Sequence, residues 1–202
     1  MSNEQLAVSK TPAHLGGHAN ITHTDIGALM WCRDKFGIQS MLDIGCGPGG
    51  QVKIAICLGM KAIGIDGDPS INAINVICHD FTKGRARDLA GDMELIWCVE
   101  FLEHLEELYL HRFFETIRRA EYAVITAAPP GKRGFHHVNC RPWEYWLERF
   151  AAYGWAENEA LTRELRAHST MLKEGELRGV NPRDFVRQRG HFMQRIKDSI
   201  YD

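Results

Sequence analysis

At 202 residues, 45% hydrophobic and 25% charged, the chain is long enough for one domain with its own core and too apolar to remain disordered. A formal net charge of −2 excludes a global pull toward nucleic acid or an anionic membrane. The start, Met1-Ser2-Asn3-Glu4-Gln5, lacks the basic and apolar regions of a signal peptide, and the most apolar stretch, residues 52–65, is broken by Lys53 and Lys61. The expectation is a cytoplasmic protein with no membrane partner. Cys32, Cys46, Cys57, Cys78, Cys98 and Cys140 form no Cys-x-x-Cys pair and read as reduced thiols, not as zinc ligands or a disulfide framework.

The first thirty residues are polar and rich in Gly and His, with His14, His18 and His23 in a segment that reads as an arm or lid. A helix is expected over 26–36 and a buried strand over 40–44, ending in Asp43-Ile44. A glycine turn follows, Gly45-Cys46-Gly47-Pro48-Gly49-Gly50, then a helix over 50–58 whose Val52, Ala55, Ile56 and Gly59 share one face. The second strand is 61–66. Gly67-Asp68-Pro69-Ser70 turns the chain and opens a short helix, with Asp68 as its cap rather than a ligand.

Further strands are expected at 75–79, 94–98 and 122–127, and helices at 106–119, 142–153 and 160–169, with a polar loop at 82–92. Trp143 and Trp146, three apart on a helix, read as core. Residues 190–196 suit a last edge strand. Residues 178–197 carry six basic side chains against Asp184, a pattern usual for a solvated face. Apolar strands alternating with helices predict an α/β three-layer sandwich around a mostly parallel sheet, with ligands beyond the carboxyl ends of the strands.

The glycine turn alone fits two chemistries. Gly45, Gly47 and Gly50 satisfy the dinucleotide pattern, which would make the chain an NAD(P)-dependent oxidoreductase, and Gly45, Gly47 and Gly49 satisfy that of methyltransferases. Asp66 suits ribose hydroxyls in either case. Three features favour methyl transfer. Asp43, two residues before Gly45, suits a cationic ligand better than a pyrophosphate. Asp80-Phe81 after the third strand can take an adenine amino group and cover its ring. The fourth strand ends in Glu100-Phe101-Leu102-Glu103-His104.

Taken together, residues 41–130 resemble the class I, Rossmann-like S-adenosylmethionine-dependent methyltransferases in order and spacing. Asp43-Ile44-Gly45-Cys46-Gly47 resembles their first motif, Asp66 the ribose-binding acid, and Glu100-x-x-Glu103-His104 the segment after strand four. The flanking His14-Leu15-Gly16-Gly17-His18, Thr22-His23-Thr24-Asp25, Pro129-Pro130-Gly131 and His136-His137-Val138-Asn139 resemble a narrower group of methyltransferase-domain proteins, many from bacteriophages. The resemblance implies a seven-stranded sheet and S-adenosyl-L-methionine as cofactor. It implies cofactor contacts at Asp43, Gly45, Cys46, Gly47, Asp66, Gly67, Asp80, Phe81 and Cys98.

The domain expectation is an arm/lid and helix over 1–36, then a methyltransferase domain over 37–202 with a substrate-side extension from about 157. The expected reaction is O- or N-methylation of a small-molecule, sugar or nucleotide-like acceptor, with nucleic acid less favoured as a partner. Catalytic candidates are His104 and His137, since His titrates nearest neutral pH. His104 has two other readings, packing under the next helix and ligating a metal. Glu100, Glu103 and His104, completed by His136 or His137, offer a divalent cation oxygens and nitrogens. That is the alternative of a metal-assisted RNA or polysaccharide O-methyltransferase. A protein that keeps the cofactor site without turnover is the remaining alternative.

Overall fold

The computed structural model describes residues 12, 14, 15, 17, 18, 20–86, 92–173 and 185–196. The chain begins its regular structure with β1 (His23–Thr24), α1 (Ile26–Phe36), β2 (Ser40–Ile44), α2 (Gly50–Cys57), β3 (Lys61–Asp66) and β4 (Val76–Cys78). It continues with β5 (Leu95–Cys98), a 3-10 turn (Leu102–His104), a second (Glu107–Tyr109), α3 (Leu110–Ile117) and β6 (Tyr122–Ile125). Then come α4 (Trp143–Ala152), β7 (Trp155–Glu157), α5 (Glu159–His168), β8 (Leu172–Lys173), α6 (Phe185–Arg189) and β9 (His191–Arg195).

Seven strands form one sheet in the order β4-β3-β2-β5-β6-β9-β7, and β1 pairs antiparallel with β8 in a separate ribbon. From β4 across the sheet to β6 each pair of adjacent strands is parallel, and β9 runs antiparallel to β6 and β7. The expected seven-stranded, mostly parallel α/β sheet is thus present. Alternation along each strand builds the three layers. Leu42, Ile44, Ile96 and Cys98 pack with Phe113, Phe114 and Phe150 of α3 and α4. Met41, Leu95 and Trp97 pack with Ala28, Leu29, Val52 and Leu165 of α1, α2 and α5.

Chain order departs from β2 in both directions: β3 and β4 lie on one side, β5 and β6 on the other. This reversal leaves a crevice beyond the carboxyl ends of β2 and β5. Three expected elements take a different form. No helix forms at 69: Asp68 Oδ1 instead accepts from Ser70 N–H at 2.8 Å, a local turn that competes with helix. The helix expected from 106 begins as a 3-10 turn and becomes α-helical only at Leu110. The last strand, β9, is interior, because Trp155–Glu157 pairs outside it.

The root of the N-terminal arm is anchored in the core. Asp25 is fully buried and caps α1, accepting from Ala28 N–H at 3.0 Å, from Thr170 N–H at 2.8 Å and from the Ser169 hydroxyl. Gln51 of α2 takes the Asp25 N–H and donates back to the Asp25 carbonyl. Arm, α2 and the segment after α5 are therefore tied together at one buried aspartate, α2 through its backbone and the other two through its carboxylate. All six cysteines are free. Among the described residues, no helix is long and apolar enough to cross a membrane.

Candidate active site

A cavity of about 780 Å³ opens at the crevice. Its floor is the turn after β2. Gly45 adopts φ 75°, and a Cβ there would lie 2.6 Å from the Phe101 ring, so both backbone hand and space demand glycine. Gly45 N–H and Cys46 N–H both donate to the Ile65 carbonyl, pinning the turn to β3. Asp66, at the end of β3, accepts from Gly47 N–H at 2.8 Å and from Asp68 N–H at 2.9 Å. The acid and the glycine bend therefore share one corner of the cavity.

Asp43 lies beneath this corner, 4% exposed, lining the cavity. Burial, and then the charge of Asp66, push its carboxyl up to about 8. Asp80 stands at the far end of the same wall. Burial works to raise its carboxyl, but hydrogen bonds from Thr82 and His14 outweigh it and hold the group below its ordinary range. Phe81 sits beside it, packed against Phe101 with ring centroids 5.6 Å apart.

The opposite half is built by the segment after β5 and the loop before α4. Glu103 is fully buried, and neither carboxylate oxygen has a hydrogen-bond partner. Burial, and then the neighbouring Glu100 charge, hold its carboxyl well above the carboxylate range. Burial, and then the His137 charge, lower His104, favouring a neutral imidazole. One donor atom from each of Glu103, His104 and His137 lies within 4.8 Å of the others.

His137 Nδ1 lies 2.9 Å from the Lys132 carbonyl, which only accepts, so that nitrogen donates to it and fixes the ring. Val138 and Asn139 N–H donate to the Glu103 carbonyl, and Asn139 Nδ2 to that of Leu105, stapling the histidine loop onto the Glu103 turn.

Of the residues anticipated from sequence, Asp43, Gly45, Cys46, Gly47, Asp66, Gly67, Asp80, Phe81, His104 and His137 all line this cavity. Cys98 does not; it is fully buried in the core beneath. Three histidines of the arm, His14, His18 and His23, also line it. His136 does too, with a buried Nε2 that has no partner and a left-handed backbone, φ 46°.

Several contributors escaped sequence reading. Gly134 lies against His137, where a Cβ would be 2.1 Å from Nε2. Thr126 takes the Glu100 N–H and donates to Glu100 Oε1. Arg189, on α6, pairs with both Glu100 oxygens while Glu100 holds φ 55°. These depend on contacts between distant segments, and only the glycine in Lys132-Arg133-Gly134 offered a local signal.

The basic tail is not a uniformly solvated face: Arg187 donates to the Ser169 carbonyl and Arg195 to that of Tyr153. Arg178, Arg183 and Lys197 lie outside the described residues. Trp146 is fully buried, as expected of core, while Trp143 is partly buried and donates to Glu157.

No family model matches this chain, and no curated protein matches it in sequence. Solved structures do match its fold. The sugar N-methyltransferase KedS8 from Streptoalloteichus sp. ATCC 53650 aligns with a TM-score of 0.56 at 16% identity, over 85% of this chain and 85% of that one. The methyltransferase domain of bacterial CtHen1-C aligns at 0.56 and 12% identity, over 86% and 97%. Magnesium protoporphyrin IX methyltransferase (ChlM) from Synechocystis PCC 6803, with bound SAM, aligns at 0.54 and 12%, over 86% and 78%. Sheet order, crevice and these likenesses together give the chain the Rossmann-like fold of class I S-adenosylmethionine-dependent methyltransferases.

Proposed function

We propose that the protein is an S-adenosylmethionine-dependent methyltransferase acting on an oxygen or nitrogen of a small-molecule, sugar or nucleotide-like acceptor. The observation that carries this reading is the corner where Asp66 Oδ2 accepts from Gly47 N–H at 2.8 Å inside an open cavity. The group fits the residues present. Gly45 and Gly47 let a ligand approach bare backbone. Asp66 retains acceptor capacity for ribose hydroxyls, and Asp80 with Phe81 suits adenine. Asp43 is a buried acid with its carboxyl at about 8, which a cationic amino-acid ligand would return to its charged form.

When bound, the cofactor supplies a methyl group already activated by a positive sulfur. The chain's residues align the acceptor, exclude water and take its proton. His104 and His137, with His136 beside them in the cavity wall, are the imidazoles placed for the last task. The solved neighbours include a sugar N-methyltransferase and a porphyrin methyltransferase, which supports the reaction class and leaves the acceptor to experiment. Calorimetry with S-adenosylmethionine and with NAD(H) tests the reading. Binding of NAD(H) alone would overturn it, and labelled-methyl transfer to any component of a cell extract would exclude a protein without turnover.

A second reading, dependence on a divalent cation, is favoured by Glu103. A buried carboxylate with no hydrogen-bond partner is costly unless neutral or opposed by a cation. Glu103, His104 and His137 would hold the ion, and their nitrogens suit a transition ion such as Mn²⁺ better than Ca²⁺. Such an ion would polarise an acceptor hydroxyl. Mn²⁺ titration followed by electron paramagnetic resonance tests this: the wild type should bind and Glu103→Gln and His104→Ala should not. Equal binding by all three would remove the reading.

A further inference from the structure

Lys132 and Arg133, in the loop between β6 and α4, stand exposed in the wall of the cavity, in the half opposite the glycine turn. Among the described residues, neither side chain has an ion pair or a hydrogen bond. Arg189, the other Arg or Lys of the wall, is paired with Glu100. Of the remaining acids in this half, Glu103 is fully buried and Glu106 is exposed. The exposed charges here are therefore two positive against one negative.

The backbone under the two cations is tied down. Lys132 N–H donates to the Pro129 carbonyl at 3.1 Å, across Gly131 in the left-handed region at φ 77°. The Lys132 carbonyl takes the His137 ring at 2.9 Å, and Cys140 Sγ lies 3.6 Å from the same oxygen. The cations are thus fixed at their base to the imidazole that stands with Glu103 and His104, while their heads are left to a ligand. Phe135, half-exposed on the same loop, also lines the cavity and sets an apolar face beside the charges.

We propose that the acceptor is a small phosphomonoester, held through its phosphate by Lys132 and Arg133. An Arg fork and a Lys point charge both suit phosphate oxygens. A phosphomonoester brings about 1.5 to 2 negative charges at pH 7, which matches a pair of cations better than a lone carboxylate does. Cofactor and acceptor must share about 780 Å³, within the range that commonly takes a single drug-sized ligand, so the acceptor is a small molecule and not a polymer. The phosphate does not react. It is a handle that sets the distance between the nucleophilic oxygen or nitrogen and the methyl group. The proposal rests on the methyltransferase reading above.

Two measurements test it. The first follows binding of inorganic phosphate by phosphorus nuclear magnetic resonance, with S-adenosylhomocysteine filling the cofactor half and EDTA removing any cation from the histidine cluster. Wild type should bind saturably. Lys132→Gln/Arg133→Gln should raise Kd at least about tenfold, the loss expected of charge-assisted hydrogen bonds. Lys53→Gln/Lys61→Gln removes the same charge from exposed positions outside the cavity and should leave Kd within about twofold. No saturable binding by wild type, an unchanged Kd in the first variant, or an equal rise in both would overturn the handle and make any bound phosphate an adventitious ion only.

The second measurement is labelled-methyl transfer to a cell extract. Treating the extract with alkaline phosphatase, then removing the phosphatase, should abolish most of the label taken up. The product from untreated extract should pass an ultrafilter that retains nucleic acids and polysaccharides. Label that survives phosphatase, as a carboxylate-bearing acceptor would give, overturns the proposal, and so does label held back by the filter. If the extract holds no acceptor, the phosphate titration decides. A wild type that does not bind S-adenosylhomocysteine removes the proposed function itself, whereas cofactor binding without phosphate binding removes only the handle.

Discussion

Two side chains in the cavity carry consequences that outlast any choice of acceptor. Asp43, at about 8 in the free protein, is mostly protonated at pH 7, because burial and Asp66 both oppose its charge. A cationic ligand beside it lowers that value, so cofactor binding at pH 7 should release a proton. Calorimetry in buffers of different ionisation enthalpy measures this directly. A binding enthalpy that does not vary with buffer would show that Asp43 keeps its state and lies outside the cationic end of the ligand.

Gly134 acts by the space it leaves. Gly134→Ala would put a methyl 2.1 Å from His137 Nε2, and the imidazole, at the end of a flexible side chain, can swing away at small cost to the fold. We expect a Tm within about 2–4 °C of wild type, but Mn²⁺ affinity lowered at least about tenfold, as when a ligand's supporting contact is lost. Unchanged Mn²⁺ binding would separate His137 from the ion.

Among the elements, β7 and β9 are held at their cavity-side ends by one carboxylate. Burial tends to raise Glu157, but hydrogen bonds from His191, Trp143 and Thr162 overcome it and bring the group down to about 2. A carboxyl lower in the folded than in the unfolded state stabilises the fold above its ordinary value of 4.5. That contribution is lost as pH falls from 4.5 toward 2. Urea unfolding of Glu157→Gln should show a deficit at pH 6 that shrinks by pH 3; a deficit constant with pH would deny the linkage.

The same elements show what a sequence discloses. Helix α1 and strands β2 and β3 were legible to the residue, because an apolar run or helical period is bounded by Asp25, Gly37, Gly45 and Gly67. Asp66 and the glycine bend were legible for the same reason: local chemistry places both at strand ends. Strand β7 was not, since Trp-Ala-Glu is too short to show alternation, and its pairing partner lies far along the chain. Nor could spacing reveal that Arg189 reaches Glu100, or choose His137 over His136 for the cluster with Glu103 and His104. The first depends on α6 reaching the turn after β5, and the second on the loop staple at Asn139, both tertiary contacts.

At the scale of the whole molecule, the cavity lies where chain order reverses, so its walls come from both halves of the sheet and from both flanking segments. A ligand bound there cross-braces parts that are far apart in sequence. At about a hundred times Kd, S-adenosylhomocysteine should contribute about 2.7 kcal/mol of stability, which is about 5–10 °C in Tm for a domain of this size. NAD⁺ at the same concentration should leave the melting curve in place. Differential scanning fluorimetry distinguishes the outcomes, and stabilisation by NAD⁺ alone would count against the methyltransferase assignment.

The interior place of β9 also bears on biosynthesis. Tyr122–Ile125 is made early, yet the partner that covers its outer side is His191–Arg195. Until the ribosome has delivered those residues, β6 shows a bare row of amides and carbonyls to any other nascent chain. Stopping translation after residue 190 should therefore yield material that sediments with the insoluble fraction, whereas the same chain extended through 196 stays in the supernatant.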